Sequence, residues 1–246
     1  MKVCLECSRR YSNSTWRCPS CGREPDIVHD FPAFAPQYAH EGAGFRPEYF
    51  EALAALEPGN FWFRARNRLI VDALRRYFPN MRNFLEVGCG TGYVLSGVAS
   101  AFPNARIAGT EIFCAGLGFA ARRVPRAEFL QMDARHIPYD AEFDVVGAFD
   151  VLEHIQEDEM VISEVHQAIK PGGGVIVTVP QHDRLWSRQD ELAGHVRRYC
   201  ARDLKTKMTR AGFRVIEMRS FVSLLLPALG FHALSVMPAR RIHCLN

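Results

Sequence analysis

Glu-Val-Gly-Cys-Gly-Thr-Gly, residues 86–92, includes a glycine loop that follows a predicted strand over residues 84–87 and precedes a helical pattern from about Tyr93. Glycines between a strand and a helix let a ligand approach the backbone at the carboxyl end of the strand. A dinucleotide-binding loop of the form G-x-G-x-x-G would have its third glycine at position 93, which is tyrosine here. Glu86 would repel a pyrophosphate but suits an ammonium group. The loop therefore favours a zwitterionic ligand over NAD.

Short apolar runs alternate with helical patterns along the chain. Strands after the first, at 84–87, are predicted over residues 106–112, 128–132, 143–149, 175–179 and 213–218. Helices are predicted between them, including 156–169 and 203–211, and upstream of the loop after Pro47 and Asn60. This alternation predicts a Rossmann-like α/β fold, with a mostly parallel sheet and helices on both faces.

Length and composition limit the domain organisation and the class of protein. The 246 residues suffice for one α/β domain and a small appendage, so we predict a knuckle over 1–24, a linker over 25–46 and the α/β domain over 47–246. A net charge of +3 is too small to indicate a nucleic-acid-binding protein or a polybasic membrane protein. Because no apolar run of signal-peptide length stands at the N-terminus, we expect a cytoplasmic protein.

Two C-x-x-C pairs lie in the first 21 residues: Cys4, Cys7, Cys18 and Cys21. Tetrahedral zinc needs four such ligands, and each pair delivers two thiolates to one metal. All four positions would be filled by protein, so we predict a structural zinc site without a catalytic water. A redox C-x-x-C is the alternative, but it would follow a strand of a thioredoxin-like unit, which the sequence does not indicate.

Three acidic residues, Glu86, Glu111 and Asp133, end successive predicted strands. Together with the glycine loop, residues 149–155 (Phe-Asp-Val-Leu-Glu-His-Ile) and the Lys-Pro-Gly-Gly-Gly turn at 170–174, they make residues 83–180 resemble class I S-adenosylmethionine-dependent methyltransferases. The resemblance implies a seven-stranded sheet whose last strand is antiparallel. It also implies that Glu111 accepts hydrogen bonds from the ribose hydroxyls and that Asp133 lies near the adenine amine. Taken singly, each acid would be an ordinary surface residue at a strand end, but their joint placement favours a site.

The resemblance extends the expected cofactor site to further residues around these acids. The full expected set is Arg66, Glu86, Gly88, Cys89, Gly90, Glu111, Ile112, Asp133, Ala134 and Asp150. Arg66 lies in a segment, 60–66, that is similar to the segment covering the cofactor in small-molecule methyltransferases. Its guanidinium suits the methionine carboxylate. The alternative is a solvated Arg66 beside core aromatics.

The acceptor side is expected in residues 180–199, which resemble the substrate loop of a small-molecule subgroup that includes quinone-type O-methyltransferases. Methyl transfer to a hydroxyl needs a base, and histidine titrates in the right range. We predict His195 first and His154 second as catalytic residues. The alternatives are a structural role in the loop for His195 and helix capping for His154.

Two rival functions follow from the same sequence. One is a ribosomal RNA methyltransferase, because such enzymes also carry a cysteine knuckle and the knuckle here holds five cations: Lys2, Arg9, Arg10, Arg17 and Arg23. Against it, residues 150–153 read Asp-Val-Leu-Glu and not the D/N-P-P-Y/F motif of base amino-group methyltransferases. The other rival is a non-catalytic module that senses the cofactor. The intact loop argues against it.

The uncharged stretch 221–237 precedes Arg240 and Arg241. It is shorter than a membrane-spanning helix, which needs about 20 apolar residues, and it contains Pro227, Gly230 and His232. We expect part of it to complete the sheet and cover the pocket. The alternative is an apolar surface that admits a lipid-like acceptor or rests on a membrane.

Overall fold

A computed structural model of the chain describes residues 1–40 and 48–221. Seven α-helices and nine strands are present in these ranges. The helices are α1 (Tyr49–Leu56), α2 (Phe61–Tyr77), α3 (Tyr93–Ala101), α4 (Cys114–Arg123), α5 (Asp158–Ala168), α6 (Arg188–Ala193) and α7 (Ala201–Arg210). The strands are β1 (Lys2–Val3), β2 (Arg10–Tyr11), β3 (Asp26–Val28), β4 (Phe31–Ala33), β5 (Asn83–Val87), β6 (Arg106–Glu111), β7 (Glu128–Gln131), β8 (Phe143–Phe149) and β9 (Ile169–Thr178).

The central sheet has the order β3-β4-β7-β6-β5-β8-β9, and every neighbouring pair except β3–β4 is parallel. Two apolar clusters cover its faces, one including Leu74, Leu95 and Leu117 and the other including Val161 and Met208. These residues belong to α2, α3 and α4 on one side and to α5 and α7 on the other. The predicted Rossmann-like fold with helices on both faces is confirmed.

Residues 26–33 differ from the structureless linker that the sequence predicts. They form an antiparallel hairpin, β3–β4, which joins the sheet because Ala33 pairs with Gln131 of β7. The Gln131 side chain fixes this edge by bonding both backbone groups of Ala35, accepting at 3.0 Å and donating at 2.7 Å. Each strand is only three residues long, too short for a two-residue alternation to stand out in the sequence.

β9 begins earlier than predicted and includes the predicted turn at 170–174. Phe143 pairs with Ile169 and Val145 with Gly174, so the residues between Ile169 and Gly174 bulge opposite Asp144. Lys170 holds the bulge through an ion pair with Asp144 at 2.7 Å. The predicted turn at 170–174 is therefore a bulge within β9, and the strand continues on both sides of it.

The sixth predicted strand, 213–218, has no strand pairing with any residue that the structure describes. The last antiparallel strand and nearly all of the 221–237 stretch were expected beyond Phe221, outside the described residues. No helix within the described ranges is long and apolar enough to cross a membrane.

The cysteine-containing segment packs against the α/β domain. Its first strand approaches the loop before β8, where the Val3 N–H donates to the Pro138 carbonyl at 3.0 Å. The Trp16 ring lies edge-on to Phe34 and to Tyr139, with centroid separations of 4.8 and 5.4 Å. This segment therefore shares apolar contacts with the domain.

Candidate functional site

All three glycines of the loop have positive φ, which glycine adopts without strain, and at two of them a side chain would also clash. Gly88 has φ +68° and Gly92 has φ +75°. A Cβ at Gly88 would lie 2.5 Å from Val151 Cγ2, and one at Gly92 would lie 2.8 Å from Ala120 Cα. The loop is thus packed between α4 and the segment after β8, and Gly92 directly precedes α3.

The three predicted acids lie at the same edge of the sheet. Glu86 pairs in register with Gly109 of β6, two residues before Glu111, which in turn pairs with Gln131 of β7, two residues before Asp133. All three side chains are buried. The carboxyl ends of adjacent parallel strands are where open α/β sheets bind ligands.

Glu86 has a buried carboxylate oxygen, Oε2, without a hydrogen-bond partner among the described residues. Burial raises the pKa of this carboxyl well above its ordinary value, while the nearby Arg66 cation lowers it. A buried acceptor without a partner is costly, so a cationic ligand donor fits this position. The methionine ammonium that the sequence predicts supplies such a group.

Glu111 orders the turn around it. Its Oε2 accepts from the Gly90 N–H at 3.0 Å, and its Oε1 accepts from the N–H groups of Ile112 and Phe113 at 2.9 and 3.3 Å. Burial raises the pKa of Glu111, although these three N–H groups lower it. Within the loop, the Cys89 N–H donates to the Thr110 carbonyl oxygen of β6 at 2.8 Å. A carboxylate has about four acceptor sites, and three are used here, so Glu111 keeps about one for a hydroxyl donor.

Asp133 has a partner that the sequence reasoning missed. The Arg135 guanidinium contacts both of its oxygens, with Nη2 at 2.7 Å from Oδ2. Burial raises the pKa of Asp133, but the hydrogen bonds and charge of Arg135 lower it by more, so it lies below its ordinary value. Ala134 between them is buried. The sequence places Arg135 two residues after Asp133, within reach of it, but does not show that the guanidinium turns toward this acid.

Arg66 reaches the site but pairs with an acid. Its Nη2 lies 2.7 Å from Asp150 Oδ2, while Thr178 Oγ1 donates to Asp150 Oδ1 at 3.0 Å. Arg66 is largely buried rather than solvated, and its Nε has no partner among the described residues. Asp150 itself has φ +57°, a left-handed conformation at the end of β8.

His195 is fixed by a buried carboxylate, Asp190. The His195 Nδ1 lies 2.9 Å from Asp190 Oδ1, and Arg198 contacts both Asp190 oxygens at 2.8 Å. Burial raises the pKa of Asp190, but its partners His195 and Arg198 and the Ser187 N–H lower it well below its ordinary value. Asp190 is 1% exposed and also closes the capping box of α6 with Ser187.

His154 lies against His195, with ring centroids 4.8 Å apart. It belongs to a 3-10 turn, Leu152–His154, and α5 begins later at Asp158, so the predicted capping role is wrong. Burial, followed by the neighbouring His195, lowers the pKa of His154 to about 4. The sequence reasoning placed Glu153 in a motif but gave it no role. Burial, followed by the Asp150 charge, raises the pKa of Glu153 well above its ordinary value.

A second group of residues missed by the sequence reasoning ties α1 to the glycine loop. The Thr91 hydroxyl donates to the buried Glu57 carboxylate at 2.7 Å, and Arg123 of α4 pairs with the same carboxylate. Phe50 of α1 lies close to the loop, since a Cβ at Gly90 would be 3.8 Å from its Cε1. Nothing in the local sequence pattern links these distant positions.

The four N-terminal cysteines converge. The Cys4 and Cys21 sulfurs are 3.5 Å apart, those of Cys7 and Cys18 are 3.6 Å apart, and all four ligand atoms lie within 4.8 Å of one another. Four thiolates at about 2.3 Å from a tetrahedral zinc lie roughly 3.8 Å from one another. The donor set and its spacing therefore fit zinc.

Comparison with known proteins identifies the family of this chain. A family profile described as a methyltransferase domain matches residues 62–218. The chain belongs to this methyltransferase family.

Individual relatives share about 30% sequence identity or less with this chain. The chain is 29% identical over 166 residues to a protein of Mycolicibacterium smegmatis named a probable S-adenosylmethionine-dependent methyltransferase, covering 66% of this chain and 63% of that protein. It is 30% identical over 119 residues to trans-aconitate 2-methyltransferase of Variovorax paradoxus, covering 48% of this chain and 46% of that protein. The matches thus span less than two thirds of these relatives.

Solved structures agree in fold. Phosphoethanolamine N-methyltransferase 2 of Haemonchus contortus, with S-adenosyl-L-methionine bound, superposes with a TM-score of 0.57 at 22% identity, covering 70% of this chain and 41% of that one. The [4+2]-cyclase SpnF superposes with a TM-score of 0.52 at 26% identity, covering 63% and 61%. Because a cyclase shares the fold, the reaction has to be argued from the site.

Proposed function

We propose that this protein transfers a methyl group from S-adenosylmethionine to an oxygen of a small-molecule acceptor. The single observation that carries the proposal is the row of three buried acids beside the glycine loop, in which Glu86 keeps an oxygen without a partner among the described residues. When bound, the cofactor supplies a methyl group on a sulfonium, which needs no further activation by the protein. The chain's task is therefore to hold cofactor and acceptor in line and to exclude water.

Each residue of the site would bind a different part of the cofactor. Glu86 would accept from the ammonium and Glu111 from the ribose hydroxyls. Arg66 would bind the methionine carboxylate, exchanging part of its contact with Asp150. Asp133 would lie near the adenine amine while Arg135 keeps its carboxylate ionised. Gly88, Cys89, Gly90, Ile112 and Ala134 would contribute backbone around the cofactor.

His195 is the residue that we propose on the acceptor side, with His154 behind it. Asp190 holds Nδ1 of His195, which leaves Nε2 for the acceptor. A carboxylate that fixes the tautomer of an imidazole is the arrangement of a general base for a hydroxyl proton. This arrangement favours an oxygen acceptor, because an alcohol or a carboxylic acid attacks the methyl group after a base has removed its proton.

A direct experiment measures S-adenosylhomocysteine release with labelled cofactor and a panel of phenols, hydroxy acids, carboxylic acids and amines. We expect turnover with an oxygen acceptor and a labelled O-methyl product. Cofactor binding without turnover on any member would favour the sensing module, and absence of cofactor binding would refute the proposal.

The structure favours neither nucleic acid nor a membrane as the partner. Of the five knuckle cations, Lys2 lies over the Trp16 ring, Arg10 contacts Asp140, and Arg17 and Arg23 lie 3.9 Å from acids within the knuckle. Such cations are already partnered, although surface pairs of this kind are weak. The membrane alternative rests on residues outside the described ranges, and flotation with anionic vesicles at low salt tests it.

We also propose that Cys4, Cys7, Cys18 and Cys21 bind one structural zinc ion. The convergence of their sulfurs supports this role. The metal would stabilise a segment of about two dozen residues that has few buried side chains of its own.

A further inference from the structure

Glu153 is a buried acid that the proposed function leaves unused. Its side chain is 0% exposed, and neither carboxylate oxygen has a hydrogen-bond partner within the described part of the chain. The nearby guanidinium of Arg66 is paired with Asp150 instead. A carboxylate taken out of water without a partner costs several kcal/mol, so a ligand is needed to retain it in ionised form.

Two imidazoles face the same space. His154 Nδ1 is also buried without a partner among the described residues. His195 has its Nδ1 occupied by Asp190. Glu153, His154 and His195 each offer a ligand atom, and these atoms lie within 4.8 Å of one another. One carboxylate oxygen and one nitrogen of each imidazole are thus close enough to share a single ion.

We propose that Glu153, His154 and His195 bind a divalent transition-metal ion. One carboxylate and two imidazoles suit Mn²⁺, Fe²⁺ or Zn²⁺. Most metal-bound histidines donate their other ring nitrogen to a carboxylate that orients the ring, and Asp190 is placed to do this for His195. Three protein ligands leave coordination positions open, as catalytic sites require, in contrast to the four cysteines of the knuckle.

The site lies beside the cofactor loop. Val151, two residues before Glu153, packs against Gly88, and Asp150 contacts Arg66. This inference rests on the proposed function and adds to it the way in which the acceptor hydroxyl is activated. With the ion bound, both histidines hold the metal, and the ion takes over from the His195 imidazole the task of activating the acceptor hydroxyl.

The metal also selects the acceptor atom. A hydroxyl bound to the ion loses its proton to water at lower pH than in solution. Its oxygen then uses another lone pair to attack the methyl carbon, and the electrons of the breaking C–S bond remain on sulfur. An amine nitrogen has a single lone pair, which metal binding would occupy. The site therefore predicts an oxygen acceptor.

Mn²⁺ is the probe, because it disfavours thiolates and its free ion has a strong electron paramagnetic resonance signal. We titrate the full chain, carrying one zinc per chain, with Mn²⁺. About one Mn²⁺ per chain should bind, and Glu153→Gln should weaken this binding at least tenfold. Glu159→Gln is the matched control, because it removes the same charge from an exposed side chain on α5 and should leave binding unchanged.

His154→Leu is titrated in parallel, so that a folding defect in one variant does not decide the outcome, and thermal melts check both. Unchanged Mn²⁺ binding in a folded variant would overturn the site. So would absence of binding to the wild type at about 1 mM while S-adenosylhomocysteine still binds by calorimetry. Loss of S-adenosylhomocysteine binding in the wild type would instead refute the proposed function.

Discussion

Replacing Glu111 by glutamine tests the cofactor site with a change of almost no volume. In the structure, Oε2 accepts from Gly90 and Oε1 accepts from Ile112 and Phe113. A glutamine amide has only one acceptor oxygen, so its NH₂ group must face an N–H donor at one of these positions. The substitution also removes the negative charge to which the ribose hydroxyls are expected to donate.

The expected loss follows from these contacts. A hydrogen bond to a charged group is worth about 1.5–3 kcal/mol, and the donor–donor contact at Gly90 adds to the loss. We expect S-adenosylmethionine binding to weaken by about 2–3 kcal/mol, which corresponds to roughly 30–150-fold in Kd. Isothermal titration calorimetry measures it directly.

Glu128→Gln is the matched control for this prediction. Glu128 begins β7, at the opposite end from the acids, and is partly exposed beside Arg106. Its variant removes the same charge and should bind the cofactor as the wild type does. An affinity of folded Glu111→Gln within twofold of wild type would show that this carboxylate does not contact the cofactor.

Three further predictions concern other parts of the chain. Elemental analysis should find about one knuckle zinc per chain, and Cys4→Ser with Cys18→Ser should lose it; metal retained by this double variant would contradict the site. Asp190→Asn should lower kcat at least tenfold with little change in cofactor affinity, because His195 loses its orienting partner, and an unchanged kcat would remove that role. Gly92→Ala should lower the melting temperature more than Gly172→Ala: both have positive φ, but only Gly92 also faces a backbone clash. Equal shifts would mean that the clash is relieved at no cost.

The sequence predicts the parallel sheet and the positions of its acids because both are local signals. Buried parallel strands are short stretches rich in apolar residues, as at 84–87 and 143–149, and an acid at or next to the carboxyl end of such a stretch lies at the ligand-binding edge. Glu86, Glu111 and Asp133 needed only this reasoning. Which atoms these carboxylates contact was not predictable in the same way, since Arg135 can turn toward Asp133 or toward solvent.

The hairpin at 26–33 and the Glu57 network were missed for a different reason. The hairpin is held by Gln131, about 100 residues away in sequence. Thr91 of the glycine loop bonds to Glu57 after α1 and to Arg123 of α4. Such contacts depend on the relative placement of whole elements. A residue's neighbours along the chain carry no signal for them.

The buried polar atoms that lack partners in the described residues are not spread evenly over the fold. They belong to six side chains. Asn67 contacts the start of α3 and Tyr139 lies beside Trp16, whereas the other four, Arg66, Glu86, Glu153 and His154, lie around the glycine loop and the end of β8. Folded proteins satisfy nearly all buried polar groups, so this concentration indicates where ligands bind. In the proposed function, an ammonium would pair with Glu86, a carboxylate would pair with Arg66, and a metal ion would bind Glu153 and His154. These groups would bring the cofactor and a metal-bound oxygen together between the glycine loop and residues 180–199, as methyl transfer requires.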